Sequence, residues 1–184
     1  MSIMNLFKGN QVKLTTLRDE DIPAIEKWYN DMNFLRHFDK LIAVPRDCAY
    51  IGNLIKEMNN ANDEYIFAIR SLDDDKLIGV TGFENIQWNN RVATIFIGIG
   101  ENGYRGKGIG KEAMSLTIDY AFNELNLHKL QLTVLQYNTA AIGLYESLGF
   151  VKEGVFREFI LRDKTRYDLI NYGIIDYEWI NKSL

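Results

Sequence analysis

Three β-type runs joined by two very short polar connections constrain this chain more than any other feature. The runs cover residues 65–70, 77–88 and 92–100, with turns at Asp73-Asp74-Asp75 and Asn89-Asn90. Connections this short between runs rich in β-branched and aromatic residues predict hairpins, so the middle of the chain is an antiparallel meander.

The flanks add helices to that sheet. Residues 12–17 alternate like a half-buried strand, and Asp19 is placed to cap a helix in which Ile22, Ile25, Trp28 and Tyr29 share a face. A second helix is predicted after Pro45, over 47–58, with Tyr50, Ile51, Leu54, Ile55 and Met58 as its apolar stripe; the asparagine-rich run 59–63 ends it. Beyond the meander the pattern predicts a helix over 108–125, a strand over 129–135, a helix over 139–148, and strands over 155–161 and 167–177. The order is β-α-α-β-β-β-α-β-α-β-β. No repeat, low-complexity segment or linker divides the 184 residues, so residues 1–184 are expected to form a single domain of the α/β class, one mixed, mostly antiparallel sheet with helices on both faces.

A formal charge of -4 gives no general basic surface, which argues against nucleic acid as a partner. The one cysteine, Cys48, has no partner for an internal disulfide, and neither it nor His37 and His128 stand at metal-ligand spacing, so no metal is expected. The first nine residues contain no signal-peptide core, and no run approaches the roughly 18 apolar residues of a membrane span. A cytoplasmic protein without a membrane partner is the expectation.

The chemistry concentrates after the third run. Residues 105–111, Arg-Gly-Lys-Gly-Ile-Gly-Lys, lie between a strand and a long helix. Glycines let backbone N–H groups and the helix N-terminus converge on an anion, and Arg105, Lys107 and Lys111 add positive charge. Spacing separates the phosphate motifs that compete for this loop. A P-loop needs glycine five residues before the Gly110-Lys111 pair and Ser or Thr after it, where this chain has Arg105 and Glu112. A dinucleotide fingerprint starting at Gly108 needs its first glycine directly after its strand, inside a βαβ unit; here several residues intervene and a meander precedes. A plain tight turn remains a competing explanation of Gly108 and Gly110, but it does not require glycines alternating with cations.

The remaining pattern, Arg105-x-x-Gly108-x-Gly110, resembles the acetyl-CoA pyrophosphate loop of the GNAT superfamily of N-acetyltransferases. Residues 138–150, Asn-Thr-Ala-Ala-Ile-Gly-Leu-Tyr-Glu-Ser-Leu-Gly-Phe, followed by Glu153-Gly154, resemble the second signature of that family, about 30 residues downstream. The order of elements is similar as well. Residues 125–130 and the strand around Arg166-Tyr167-Asp168-Leu169 are most similar to the group containing ribosomal-protein N-terminal and spermidine acetyltransferases.

The resemblance implies the GNAT fold and acetyl-CoA as co-substrate. It implies that the coenzyme meets Arg105, Gly106, Lys107, Gly108, Ile109, Gly110 and Lys111 at the loop, the backbone of Ile97, Gly98 and Ile99 along the pantetheine arm, and Asn138, Ala141 and Tyr145 on the second signature. Tyr145 matches the family's tyrosine facing the coenzyme sulfur, as general acid or as hydrogen-bond donor to the thiolate. Burial on an amphipathic helix is its competing explanation, and helix capping is that of Asn138.

The general base departs from the family pattern. Many members carry a glutamate early in the strand before the loop, where this chain has Ala93-Thr94-Ile95. Glu84, one strand earlier, is the substitute candidate, because a carboxylate acting through water can deprotonate an ammonium; an exposed strand residue is the alternative. The acceptor region of the family falls on Trp28, Tyr29, Asp31, Asn33, Phe34, His37, Phe38 and Asp39. Aromatic faces with Asp31 and Asp39 suit a cationic amine such as a polyamine or a peptide N-terminus, whereas core aromatics and solvated acids are the plain reading. Direct transfer to a primary amine follows, since Cys48 lies outside both motifs; a non-catalytic acetyl-CoA-binding module is the rival on the same fold. A homodimer or higher homo-oligomer is left open.

Overall fold

The meander anticipated from the two short turns is the centre of a seven-stranded sheet in the order β1-β2-β3-β4-β5-β7-β6. The computed structural model describes residues 5–180, with side chains through Trp179. In chain order its elements are β1 (Val12–Thr15), α1 (Ile22–Tyr29), α2 (Met32–Phe38), α3 (Cys48–Asn60), β2 (Tyr65–Ser71), β3 (Leu77–Gln87), β4 (Val92–Ile99), α4 (Ile109–Asn123), β5 (Lys129–Leu135), α5 (Thr139–Leu148), β6 (Val151–Arg162), β7 (Thr165–Ile175) and α6 (Asp176–Ile180). All neighbouring strands are antiparallel except β4 and β5.

Two helices were not expected from the sequence. α2 is only seven residues long and starts directly behind α1, with the Asp31 carboxylate accepting from the N–H groups of Asn33 and Phe34. Periodicity needs more turns than that to stand out. α6 takes the last residues of the predicted 167–177 strand, and β6 begins at Val151 rather than 155, because residues 151–153 are all exposed and show no alternation.

Both faces of the sheet are covered. On one, Ile25, Trp28, Phe34, Leu35 and Ile51 of α1–α3 pack with Ala68 and Val80. On the other, Met114 and Ile118 of α4 and Tyr145 and Leu148 of α5 pack with Ile95, Leu130, Leu132 and Val134. At the sheet's far end Arg70 is buried with Asp21: Nη2 reaches Oδ2 at 2.5 Å, and both side chains are under 5% exposed. A fully desolvated pair of this kind is costly to break from one side.

Two irregularities shape the centre of the sheet. The parallel β4–β5 ladder has only three pairs, Val92 with Lys129, Ala93 with Leu130 and Thr94 with Gln131. Beyond them β4 continues with β3 as far as Ile99, and β5 continues with β7 as far as Leu135. The two strands therefore diverge into a wedge. Beside its closed end β3 holds one residue more than β4 between Glu84–Thr94 and Gln87–Val92, with Asn85 at φ 53°. Such a bulge bends a strand and re-aims its side chains.

Candidate active site

The glycine loop sits at the open end of β4. Gly106 and Gly108 have φ of 73° and 81°, and Gly108 is the N-cap of α4 without a side-chain cap. Left-handed backbone at these two places is what glycine supplies without strain. Cβ atoms added there would meet nothing within 4 Å, so the space over the loop is open. The first N–H groups of a 15-residue helix thus face open space, as anion sites require. Ile109 anchors the loop by burying its side chain with Val12, Leu14, Ile69 and Ile78. Lys107 and Lys111 are exposed. Arg105 instead turns back, donating from Nε to the Ile99 carbonyl at 3.0 Å.

Along the wedge, β4 from Ile95 to Ile99 pairs with β3 on one side and, among the described residues, with no strand on the other. A Cβ at Gly98 would press into the Phe38 ring, which stacks on Phe34 with centroids 5.1 Å apart. Tyr145 approaches from the α5 side, 7% exposed, in the cluster that includes Ile95, Leu132 and Val134. Burial alone pushes its hydroxyl up to about 12. Asn138 caps α5 by accepting from the Ala141 N–H at 3.2 Å, and its Nδ2 donates to the His37 carbonyl at 3.1 Å. The capping expected from the sequence is present, and it engages Ala141 as well.

On the opposite face, at the closed end of the wedge, lies a cavity of about 320 Å³. Its lining includes Glu84, Thr94, Gln131, Thr133, Asn171 and Lys40. Glu84 pairs directly with Thr94, and Thr94 with Gln131, which sets the three side chains in a row across the sheet. Glu84 is half-buried rather than an exposed strand residue, and burial holds its carboxyl above the usual range; the Lys40 charge opposes this, while Glu64 and Asp39 add to it.

The acceptor region predicted between the first helices divides. Trp28 and Phe34 are core residues, and the Trp28 indole N–H donates to Glu101 at 3.2 Å. Asp31 is engaged as the α2 cap. Asp39 lies within electrostatic reach of both Glu84 and Tyr29, whose hydroxyl is raised by burial and then by that carboxylate. His37 contacts the Tyr137 ring edge-on. Lys40, Gln131, Thr133 and Asn171 had no motif to mark them; strand register brings the last three to Glu84, and Lys40 comes to it from the segment after α2. Cys48 lies at the start of α3, where its thiol donates to Glu26 at 3.2 Å and is raised by that contact, the reverse of an activated thiolate. Among the described residues no cluster of three His, Cys, Asp or Glu side chains is able to hold a metal, and no helix is long and apolar enough to cross a membrane.

One sheet with helices on both faces and a glycine loop between β4 and α4 is the fold that the sequence resemblance implied. A family model described as "Acetyltransferase (GNAT) domain" matches residues 11–151. The chain belongs to the GNAT acetyltransferase family. It is an N-acetyltransferase, and its donor is acetyl-CoA. This GNAT chain is 30% identical to the spermidine N(1)-acetyltransferase of Escherichia coli, over 94% of this chain and 90% of that one. It superposes with a TM-score of 0.85 and 27% identity on the spermidine N-acetyltransferase from Vibrio cholerae in complex with CoA and spermine, over 93% and 99% of the two chains. The dodecameric structure of the Vibrio cholerae enzyme in an intermediate state gives a TM-score of 0.79 at 27% identity, over 95% and 99%.

Proposed function

We propose that this GNAT enzyme transfers the acetyl group directly to a primary amine bound in the Glu84 cavity, with Glu84 as general base. The observation that carries the reading is the register of Glu84 with Thr94, which puts a half-buried carboxylate at the closed end of the wedge. A carboxylate whose pKa is raised by burial is a better match for a proton on nitrogen than an exposed one. Working through a water, Glu84 takes one proton from the ammonium. The neutral nitrogen attacks the thioester carbon, the C–S bond breaks, and the second nitrogen proton leaves with the thiolate.

The donor side follows from the loop. Backbone N–H groups of residues 106–111 hold the pyrophosphate, aided by Lys107, Lys111 and the guanidinium of Arg105, and the free edge at Ile97, Gly98 and Ile99 holds the pantetheine arm and the thioester oxygen. Several helix-end interactions of roughly 0.3 to 1 kcal/mol each must act together there. The coenzyme contact at Asn138 uses the second N–H or second lone pair of an amide already bonded to His37 and Ala141. Tyr145 at about 12 lies well above a thiol near 8.5, so full proton transfer to the thiolate is uphill by about 5 kcal/mol. Its role is therefore to donate a hydrogen bond to the departing sulfur.

Carboxylates of Glu84, Glu64 and Asp39 outnumber Lys40 and the Arg162 guanidinium on the 39–41 carbonyls, which makes the acceptor side net acidic and favours a cationic amine. A polyamine is the first candidate, in line with the spermidine relatives, and a peptide N-terminus is the second. Assembly into a homo-oligomer goes with this reading, in line with the dodecameric relative. The test is thiol release from acetyl-CoA against spermidine, other diamines and short peptides, with initial rates at varied concentrations of both substrates. Intersecting lines are expected. No turnover with any amine, or parallel lines together with loss of activity in Cys48→Ala, would overturn it.

A further inference from the structure

The segment after α2 crosses the acceptor side of the cleft and is tied down from the far end of the sheet. Arg162 closes β6, and its Nη2 donates to the carbonyls of Leu41, Lys40 and Asp39 at 2.7, 3.3 and 3.4 Å. Just upstream, the Tyr137 hydroxyl donates to the Arg36 carbonyl at 2.5 Å, and the Arg36 guanidinium pairs with Asp163 at 2.7 Å in the β6–β7 turn. Residues 39–41 are the C-cap of α2 and the two residues beyond it, where the carbonyls have no place in the helix ladder and a cation beside them is favourable. Arg162 supplies that cation from about 120 residues downstream in the chain. Its Nε–H is buried without a partner among the described residues, so Nη2 carries the contact.

The backbone held in this way carries Lys40, which lines the cavity, and Asp39, which is within electrostatic reach of Glu84. We propose that Arg162 is a positioning residue for the acceptor: by fixing the 39–41 backbone across the cleft, it sets the cavity wall on which the amine is aligned. The assignment rests on the reading of this cavity as the acceptor site. Nη2 carries two N–H groups, so Leu41 at 2.7 Å takes one and Lys40 and Asp39 share the other, and an ammonium on a shorter, flexible stem holds the same carbonyls less rigidly. The donor loop lies at the other end of β4 and is not touched by this contact.

Arg162→Gln tests this in the full-length protein, with Arg162→Lys as the conservative variant. The Gln variant is expected to lower kcat/KM for the amine about ten- to a hundredfold through KM, as a wall displaced by about 1 Å does. The Kd for CoA, from a binding titration, stays within twofold, and the Lys variant recovers part of the loss. Tyr137→Phe loosens the same segment from its other side and keeps the ring, so it serves even where Arg162→Gln does not fold; the expected rise in amine KM is about three- to tenfold. An amine KM unmoved in folded Arg162→Gln or in Tyr137→Phe overturns the assignment, as does an equal loss of CoA affinity. Absence of amine turnover in the unaltered protein is a different failure, and it sinks the acceptor reading itself.

Discussion

Glu84 on β3 and Thr94 on β4 stand opposite each other in the ladder, at the last residue of β4 that also pairs with β5. Because cross-strand partners share a face, a carboxylate moved from position 94 to position 84 still points into the same space. If Glu84 is the base, Glu84→Gln lowers kcat/KM for the amine by about 10² to 10⁴. CoA affinity is expected to change less than twofold, since the loop is untouched. Steady-state rates and a CoA titration on one preparation check both numbers.

The pH dependence has a definite sign. Glu84 must be ionised to act, and burial raises its pKa, so the acid limb of kcat/KM falls above the ordinary glutamate value near 4.3. Lys40 stabilises the charged form, so Lys40→Met shifts that limb to higher pH. Glu64 opposes ionisation, so Glu64→Gln shifts it to lower pH. Limbs that move together, or not at all, rule out Glu84 as the titrating group.

Much of the fold was legible because it depends on local pattern. The bounds of β5 and α5 follow directly from apolar alternation and from the Asn138 cap, and the donor loop stands out because three glycines and three cations fall within seven consecutive residues. The acceptor side depends on register instead. Gln131 reaches Glu84 only because β4 and β5 pair for three residues before diverging, and Lys40 only because Arg162 holds its backbone. Asp31 looked available for a cation and is engaged as a helix cap, since α2 is too short to be seen by periodicity. The Asn85 bulge carries no glycine to announce it.

Tyr145 gives a prediction that separates hydrogen bonding from acid catalysis. With its hydroxyl near 12, it stays protonated throughout an ordinary assay range. Tyr145→Phe is therefore expected to cost about ten- to a hundredfold in kcat with a flat penalty from pH 6 to 10. Coenzyme Kd stays within about twofold, because the ring and its packing remain. A penalty that vanishes toward high pH identifies a titrating acid and contradicts this role.

At the loop, the backbone rather than crowding decides the outcome. Gly108 has φ of 81° and open space around its α-carbon, so Gly108→Val has room for its side chain but not the preferred backbone. Left-handed conformation costs a side-chain residue roughly 1–2 kcal/mol, more when β-branched. Relaxing that strain turns the first N–H groups of α4 away from the anion, and CoA Kd is expected to rise at least about tenfold. Isothermal titration checks it, and an unchanged Kd places the pyrophosphate elsewhere.

The Arg70–Asp21 pair bears on stability alone. Arg70 also donates to the Thr15 hydroxyl at 2.9 Å and the Asp75 carbonyl at 3.3 Å, and Asp21 accepts from the Arg18 N–H at 2.7 Å. Asp21→Asn keeps the shape of the site but leaves a guanidinium desolvated without its counter-charge. Breaking a buried pair from one side costs about 3–5 kcal/mol, whereas an exposed pair such as Arg18–Glu20 is screened by solvent and contributes little. Urea unfolding at constant m-value is therefore expected to show a large fall for Asp21→Asn and almost none for Glu20→Gln, while CoA binding below the transition is the same in both. A loss under about 1 kcal/mol in Asp21→Asn means that the carbonyl and hydroxyl contacts alone satisfy Arg70.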